Sequence, residues 1–219
     1  MQALVKKDLY TLPKHVFLLT LLWFIPLTNF FTDGSPHKHL ILLFLLGSSL
    51  ILYSNYNTKT SEDIQARLLN SLPVTRKKIV LAKYMTGLIW YLIAFVICSI
   101  YVFLFHTFAP FPSRLITPAE YVICLAGTYL FISVYYPFLY AFGDKIAAFL
   151  TLFLFITSSI GFQIVLNLAA NPRYPQVKEF VESISYHEWL LAGSMLLISL
   201  FLTFLSFQAS VRIYSKKDL

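Results

Sequence analysis

Residues 80–105 read VLAKYMTGLIWYLIAFVICSIYVFLF, with Lys83 the one charge among them. The hydrocarbon layer of a bilayer is about 30 Å thick, so a spanning helix needs about 20 mostly apolar residues. This stretch meets that length. Working outward, residues 16–31, 40–56, 121–142, 146–168 and 189–213 repeat the pattern. The first two runs are short, and Pro26 sits where it would kink the first. Flanking residues or a thinned bilayer would complete them. The fourth and fifth runs are divided only by Gly143, Asp144 and Lys145, which predicts a tight turn with its charged pair at a membrane surface.

Composition agrees with six spans. Of 219 residues, 58% are hydrophobic and 12% charged, against about 25% charged in a soluble domain. The mean hydropathy is +0.71. No polar stretch is long enough for a second, soluble domain, so residues 1–219 read as one membrane domain. The net charge of +7 fits basic loops that hold topology and face anionic lipid, rather than nucleic acid. Cys98 and Cys124 lie in apolar surroundings and read as small core residues, not as a disulfide or metal site. Lys6, Lys7 and Lys14 precede the first run, but no small-residue cleavage site follows it, so it reads as a retained anchor.

The basic residues set the topology. With the N-terminus inside, thirteen of the seventeen Lys and Arg fall on the inner side, and Lys38, Arg114, Arg173 and Lys178 fall outside. Inner loops carry such an excess, so both termini are expected to be cytoplasmic.

Three segments outside the spans carry helical patterns. In residues 1–12, Val5, Leu9 and Leu12 form a stripe with Lys6, Lys7 and Asp8 off it, which suits a helix lying on the inner surface or a plain basic tail. Residues 58–79 form the main inner loop. Thr60 and Asp63 have capping-box spacing, with Asp in place of the usual Glu. Ile64, Leu68 and Leu72 then recur every four residues, Glu62, Asp63 and Arg67 occupy other faces, and Pro73 ends the helix. Thr75 can cap the next helix, with Arg76, Lys77, Lys78 and Lys83 marking its entry to the membrane. That apolar stripe must be buried, against lipid, against the bundle or against another protein. In residues 171–188, Val177, Phe180, Val181 and Ile184 give a short amphipathic helix at the outer face.

Catalytic patterns are absent from the sequence. It has no G-x-x-x-x-G-K-[ST] loop for phosphates, no H-E-x-x-H and no G-x-S-x-G. The chain is therefore not expected to be an enzyme by itself, nor to hold a cofactor or metal. His37 and His39 flank Lys38 without further ligands nearby and read as a solvated loop; His106 and Glu120 lie near span ends and require no special role. Polar residues inside spans are more telling, since unsatisfied polar groups seldom face lipid. Ser159, Gln163 and Asn167 recur at i, i+4, i+8 on one face of the fifth run; Ser48, Ser49 and Asn55 lie in the second, and Thr28 and Asn29 near the end of the first. Ser159, Gln163, Asn167, Ser48, Asn55 and Asn29 either line a substrate path or make hydrogen bonds between helices. No acidic residue lies in mid-span, which argues against a carboxylate proton relay.

The opening LVKKDL at residues 4–9, the six runs, the inner-loop stretch LNSLPVTRKKIVLAKY at 69–84, and the basic tail with Arg212, Lys216, Lys217 and Asp218 together resemble the small permease subunits of type-2 ABC exporters, including those that export phenol-soluble modulins. The resemblance implies an all-α permease of six transmembrane helices with an N-terminal interfacial helix. It implies a homodimer or heterodimer of permeases in a bacterial cytoplasmic membrane, with ATP and Mg held by a separate ABC ATPase. It also implies that residues 61–72, with Glu62, Asp63, Ile64, Arg67, Leu68 and Leu72, form the coupling helix on that ATPase, and that 171–188 forms an outer gate. The implied cargo is an amphipathic peptide or similar compound. Two other readings stand beside it: a substrate-capture subunit for vitamin uptake, and a structural or immunity membrane subunit. An intramembrane enzyme would need paired carboxylates or His ligands within the spans, and none is found.

Overall fold

The computed structural model describes residues 5, 8, 38–56, 75–108, 115–171, 174–176 and 187–216. Among them are five long helices and no strand: α1 (Lys38–Tyr56), α2 (Arg76–Phe108), α3 (Pro118–Phe142), α4 (Asp144–Ala170) and α5 (Glu188–Lys216). Val5 and Asp8 are also helical. The first expected span at 16–31, the rest of 1–12, the helix expected within 58–72 and most of the expected outer-gate helix lie outside the described residues.

Helices α2, α3 and α5 are each long and apolar enough to cross a membrane, and residues 40–55 of α1 make a shorter apolar helix. Each helix overruns its apolar run. α2 begins at Arg76, directly after Thr75 and four residues before its apolar run, and ends at Phe108 rather than Phe105. Its 33 residues span about 50 Å at 1.5 Å per residue, well beyond the hydrocarbon. Lys38 and His39, expected in a loop, belong to the first turn of α1. The expected three-residue turn after α3 narrows to Gly143, at φ 88°, a left-handed conformation that favours glycine. Its amide closes the end of α3 on Leu139 O at 3.0 Å, and its carbonyl accepts from Ala147 at 3.1 Å.

Residue pairing gives the packing. Thr203 meets Tyr129 and Ser206 meets Ser133, 74 and 73 residues apart, so α5 and α3 run parallel. Arg76 meets Ser215 while Tyr84 meets Ser206 and Ser210, so α2 runs antiparallel to α5. A Cβ on Gly47 of α1 would lie 3.7 Å from Thr128 of α3 and 3.8 Å from Ala94 of α2, which sets these three helices side by side at that level. The ends holding Tyr56, Arg76, Phe142, Asp144 and Lys216 therefore gather at one end of the bundle, called here the basic end.

The outer surface of the bundle is apolar like its interior, and α5 turns its polar face inward. The buried residues of α5 are Ala192, Ser199, Thr203, Ser206, Ser210 and Tyr214. Its exposed face carries Leu197, Ile198, Phe201, Phe204 and Leu205. Leu92, Val96, Ile100 and Phe103 of α2 and Phe149, Phe153 and Ile156 of α4 are exposed as well. Water does not tolerate continuous apolar surface on that scale. Lipid does, and in lipid helices associate through small and hydroxylated residues that allow close approach.

Candidate functional site

One group of polar side chains converges near the basic end of the bundle, where α2, α3, α5 and Asp8 meet. The starting point is Pro137 inside α3. A proline has no N–H, so the carbonyl four residues earlier loses its helical partner. That carbonyl belongs to Ser133, and the Ser206 hydroxyl of α5 donates to it at 2.6 Å. Because Ser206 uses its hydrogen there, Tyr84 of α2 must donate to Ser206 Oγ at 2.7 Å, and Ser210 then donates to the Tyr84 oxygen at 3.0 Å. One directed chain of hydrogen bonds thus ties α5 to α2, back to α5 and on to α3. The ring of Tyr84 lies 4.8 Å from that of Tyr136 and meets Phe207 edge-on at 5.7 Å.

One turn nearer the basic end, Tyr136 donates to the backbone carbonyl of Lys83 at 2.9 Å. The ammonium of Lys83 pairs with Asp8 at 3.0 Å. Asp8 is only 6% exposed, which corrects the expectation that it stands on the polar face of a surface helix. Its partner lies far along the chain, on the buried side of α2. Asn55, at the end of α1, is buried. At the rim, Arg76 donates to the carbonyls of Tyr214 and Ser215 at 3.1 and 2.8 Å and lies 5.9 Å over the Tyr214 ring. It thereby satisfies carbonyls that the end of α5 leaves open.

The opposite ends of α2 and α3 are held more simply. Tyr91 donates to Tyr121 O at 2.7 Å, and Ser99 and the Tyr121 hydroxyl lie 2.8 Å apart. Glu120, expected to have no special role, completes a capping box with Thr117, with Pro118 at the first helical position. Cys98 and Cys124 are free and buried. Among the described residues no group of three or more His, Cys, Asp or Glu could hold a metal.

The structure buries both Asn55 and Ser48 on α1, and the Ser48 hydroxyl bonds to Leu45 O at 3.1 Å. Asn55 also donates to Ile51 O at 2.8 Å. Ser159, Gln163 and Asn167 lie on the continuous helix α4, but their side chains are outside what is described. Asn29, Glu62, Asp63, Ile64, Arg67, Leu68 and Leu72 are outside the described residues. Sequence reasoning missed the hydroxyl face of α5. Its signal was the spacing of Ser199, Thr203, Ser206 and Ser210, three or four residues apart throughout. The missed capping box also had a signal, Thr-x-x-Glu at the start of an apolar run.

This arrangement has no nucleophile poised beside a base. It is a weld at one end of an apolar bundle, directly where residues 57–74 leave α1 at Tyr56 and return to α2 at Arg76. A family model described as ABC-2 family transporter protein matches residues 3–215, nearly the whole chain. No curated protein and no solved structure matches it.

Proposed function

The chain belongs to the ABC-2 transporter family, and from that premise we propose that it is the permease of an ATP-driven exporter whose ATPase is a separate polypeptide. The observation that carries this reading is the basic-end network: α2, α3, α5 and Asp8 are joined where the 57–74 connection enters the bundle. A push delivered through that connection reaches Arg76 first. Arg76 is bonded to α5, and Lys83, two turns on, is bonded to α3 and Asp8. The welded helices would then move as one body.

In this reading Glu62, Asp63, Ile64, Arg67, Leu68 and Leu72 form the contact with the ATPase. The ATPase binds ATP and Mg, and the chain contributes no catalytic group. Two permease subunits form the transport unit in the cytoplasmic membrane, with the basic end on the cytoplasmic side. Ser159, Gln163, Asn167, Ser48, Asn55 and Asn29 are the candidates for the path. Aromatic, weakly charged spans suit an amphipathic cargo such as a peptide.

The test is affinity purification of the chain from its native membrane in mild detergent. A co-purifying ATPase with a phosphate-binding loop, in near-equal amount, supports the proposal. Leu68→Glu should abolish that association while leaving membrane insertion intact. Recovery without any ATPase, with and without nucleotide and in several detergents, would sink it.

A further inference from the structure

We infer that the corner where α2 begins and α5 ends binds the headgroup of an anionic phospholipid. Four exposed cations stand there: Lys77 and Lys78 in the first turn of α2, and Arg212 and Lys216 in the last turns of α5. Arg76 joins the two turns through its bonds to Tyr214 and Ser215. The four cations therefore stand around one pair of joined helix ends. α2 has no acidic residue along its length, and the only one in α5, Glu188, lies at the far end. The ion pair between Lys83 and Asp8 is already closed within the bundle. The corner is therefore positively charged, with no carboxylate of these two helices near it.

The depth of the patch selects the ligand. On α2 the exposed apolar face begins at Met85, seven residues beyond Lys78, and on α5 it ends at Leu205, seven residues before Arg212. Seven helical residues rise about 10 Å, which carries a side chain from the edge of the hydrocarbon into the headgroup layer. The same two helices thus offer apolar walls at the depth of acyl chains and cations at the depth of phosphates. A lipid fits both levels; a free anion or an acidic protein surface fits only the second. Lys145 supplies the contrast. It is exposed at the same end of the bundle but stands alone beside Asp144, whose carboxylate accepts its amide at 2.8 Å.

The experiment is native mass spectrometry of the full chain in neutral detergent, titrated with phosphatidylglycerol and separately with phosphatidylcholine. Each cation near an anionic lipid contributes about fivefold, so replacing all four with Gln should weaken phosphatidylglycerol binding at least about tenfold. Phosphatidylcholine binding should stay unchanged, and Lys145→Gln should have less than about a twofold effect. Lys77→Gln with Lys78→Gln gives the answer if the fourfold variant does not fold, with a loss of about fivefold or more expected. The inference is overturned if wild type binds both lipids equally, if the cluster variants bind phosphatidylglycerol as wild type does, or if Lys145→Gln loses as much, which would mark general leaflet attraction. Displacement of the bound lipid by millimolar inorganic phosphate would also overturn it, in favour of a free-anion site.

Discussion

Ser206 supplies the hydrogen bond that Pro137 denies to its own helix: its hydroxyl lies 2.6 Å from the Ser133 carbonyl, four residues before the proline. In the low-dielectric interior of a membrane protein an orphaned carbonyl is costly, and proline persists in spanning helices because a neighbour re-satisfies it. Here the neighbour is a second helix, so a local defect in α3 becomes the docking point of α5. The parallel pairing of these two helices follows from that contact together with the Thr203–Tyr129 contact about one turn away.

This relationship predicts a coupling. Ser206→Ala should destabilise the protein by about 1 kcal/mol, near the middle of the range for interhelical hydrogen bonds in membranes. In a Pro137→Ala background the alanine amide can reach the Ser133 carbonyl, so Ser206→Ala should cost less, by roughly 0.5 kcal/mol or more. Denaturation of all four proteins in mixed micelles measures the difference. Strict additivity would mean that Ser206 is not answering the proline.

The Asp8–Lys83 pair predicts an asymmetry. Asp8 has 9% of its side chain exposed and Lys83 21%, so a stranded lysine can reach water more easily than a stranded carboxylate. Lys83→Met should therefore cost about 3 kcal/mol and Asp8→Asn about 1 kcal/mol, with the double variant recovering much of the loss from Lys83→Met. Thermal unfolding followed by fluorescence-detected size exclusion ranks the three. A double variant no better than Lys83→Met would show that the ion pair does not carry the effect.

Gly87 and Gly193 should respond in opposite directions. A Cβ on Gly87 would come within 2.5 Å of the Ile132 terminal methyl, whereas one on Gly193 meets nothing within 4 Å. Gly87→Ala should cost about 1 kcal/mol, because Ile132 is fully buried and must shift. Ile132→Val removes the clashing methyl and should relieve that cost. Gly193→Ala should be neutral or stabilising by up to about 1 kcal/mol through helix propensity. The same unfolding assay decides, and equal effects at the two glycines would contradict the packing described.

The helices were legible because apolar runs report the hydrocarbon thickness, but for the same reason their ends were not. A helix continues past the lipid as long as its backbone bonds close, so α2 gains His106 to Phe108 and α1 gains Lys38 and His39, whereas the start of α2 was marked by Thr75. Asn55 was legible as a buried polar residue. Ser199, Thr203, Ser206 and Ser210 were passed over because hydroxyls look neutral in a hydropathy reading, although small size and a single donor are what a helix seam in lipid needs. The burial of Asp8 had no local signal at all. Its partner is Lys83, and nothing near residue 8 in the sequence points there.

If the chain works as proposed, Arg76 should separate ATPase binding from coupling. It is bonded to the end of α5 rather than left reaching outward, so Arg76→Ala should leave the amount of co-purifying ATPase within about twofold of wild type. It should also detach the entry of α2 from α5. The permease would then transmit the motion of residues 57–74 poorly, and its effect on the ATP hydrolysis rate of the complex should fall by about fivefold or more, equivalent to a coupling free energy of about 1 kcal/mol. Arg76→Lys keeps the charge and a donor for the two carbonyls, which a single guanidinium nitrogen bridges, but loses the planar group over Tyr214, so it should fall between the alanine variant and wild type. Hydrolysis by the purified complex, compared with the free ATPase, is the measurement. If Arg76→Ala loses the ATPase outright, the residue is a contact and not a link; if hydrolysis is unaltered, the weld at the basic end does not carry the stroke.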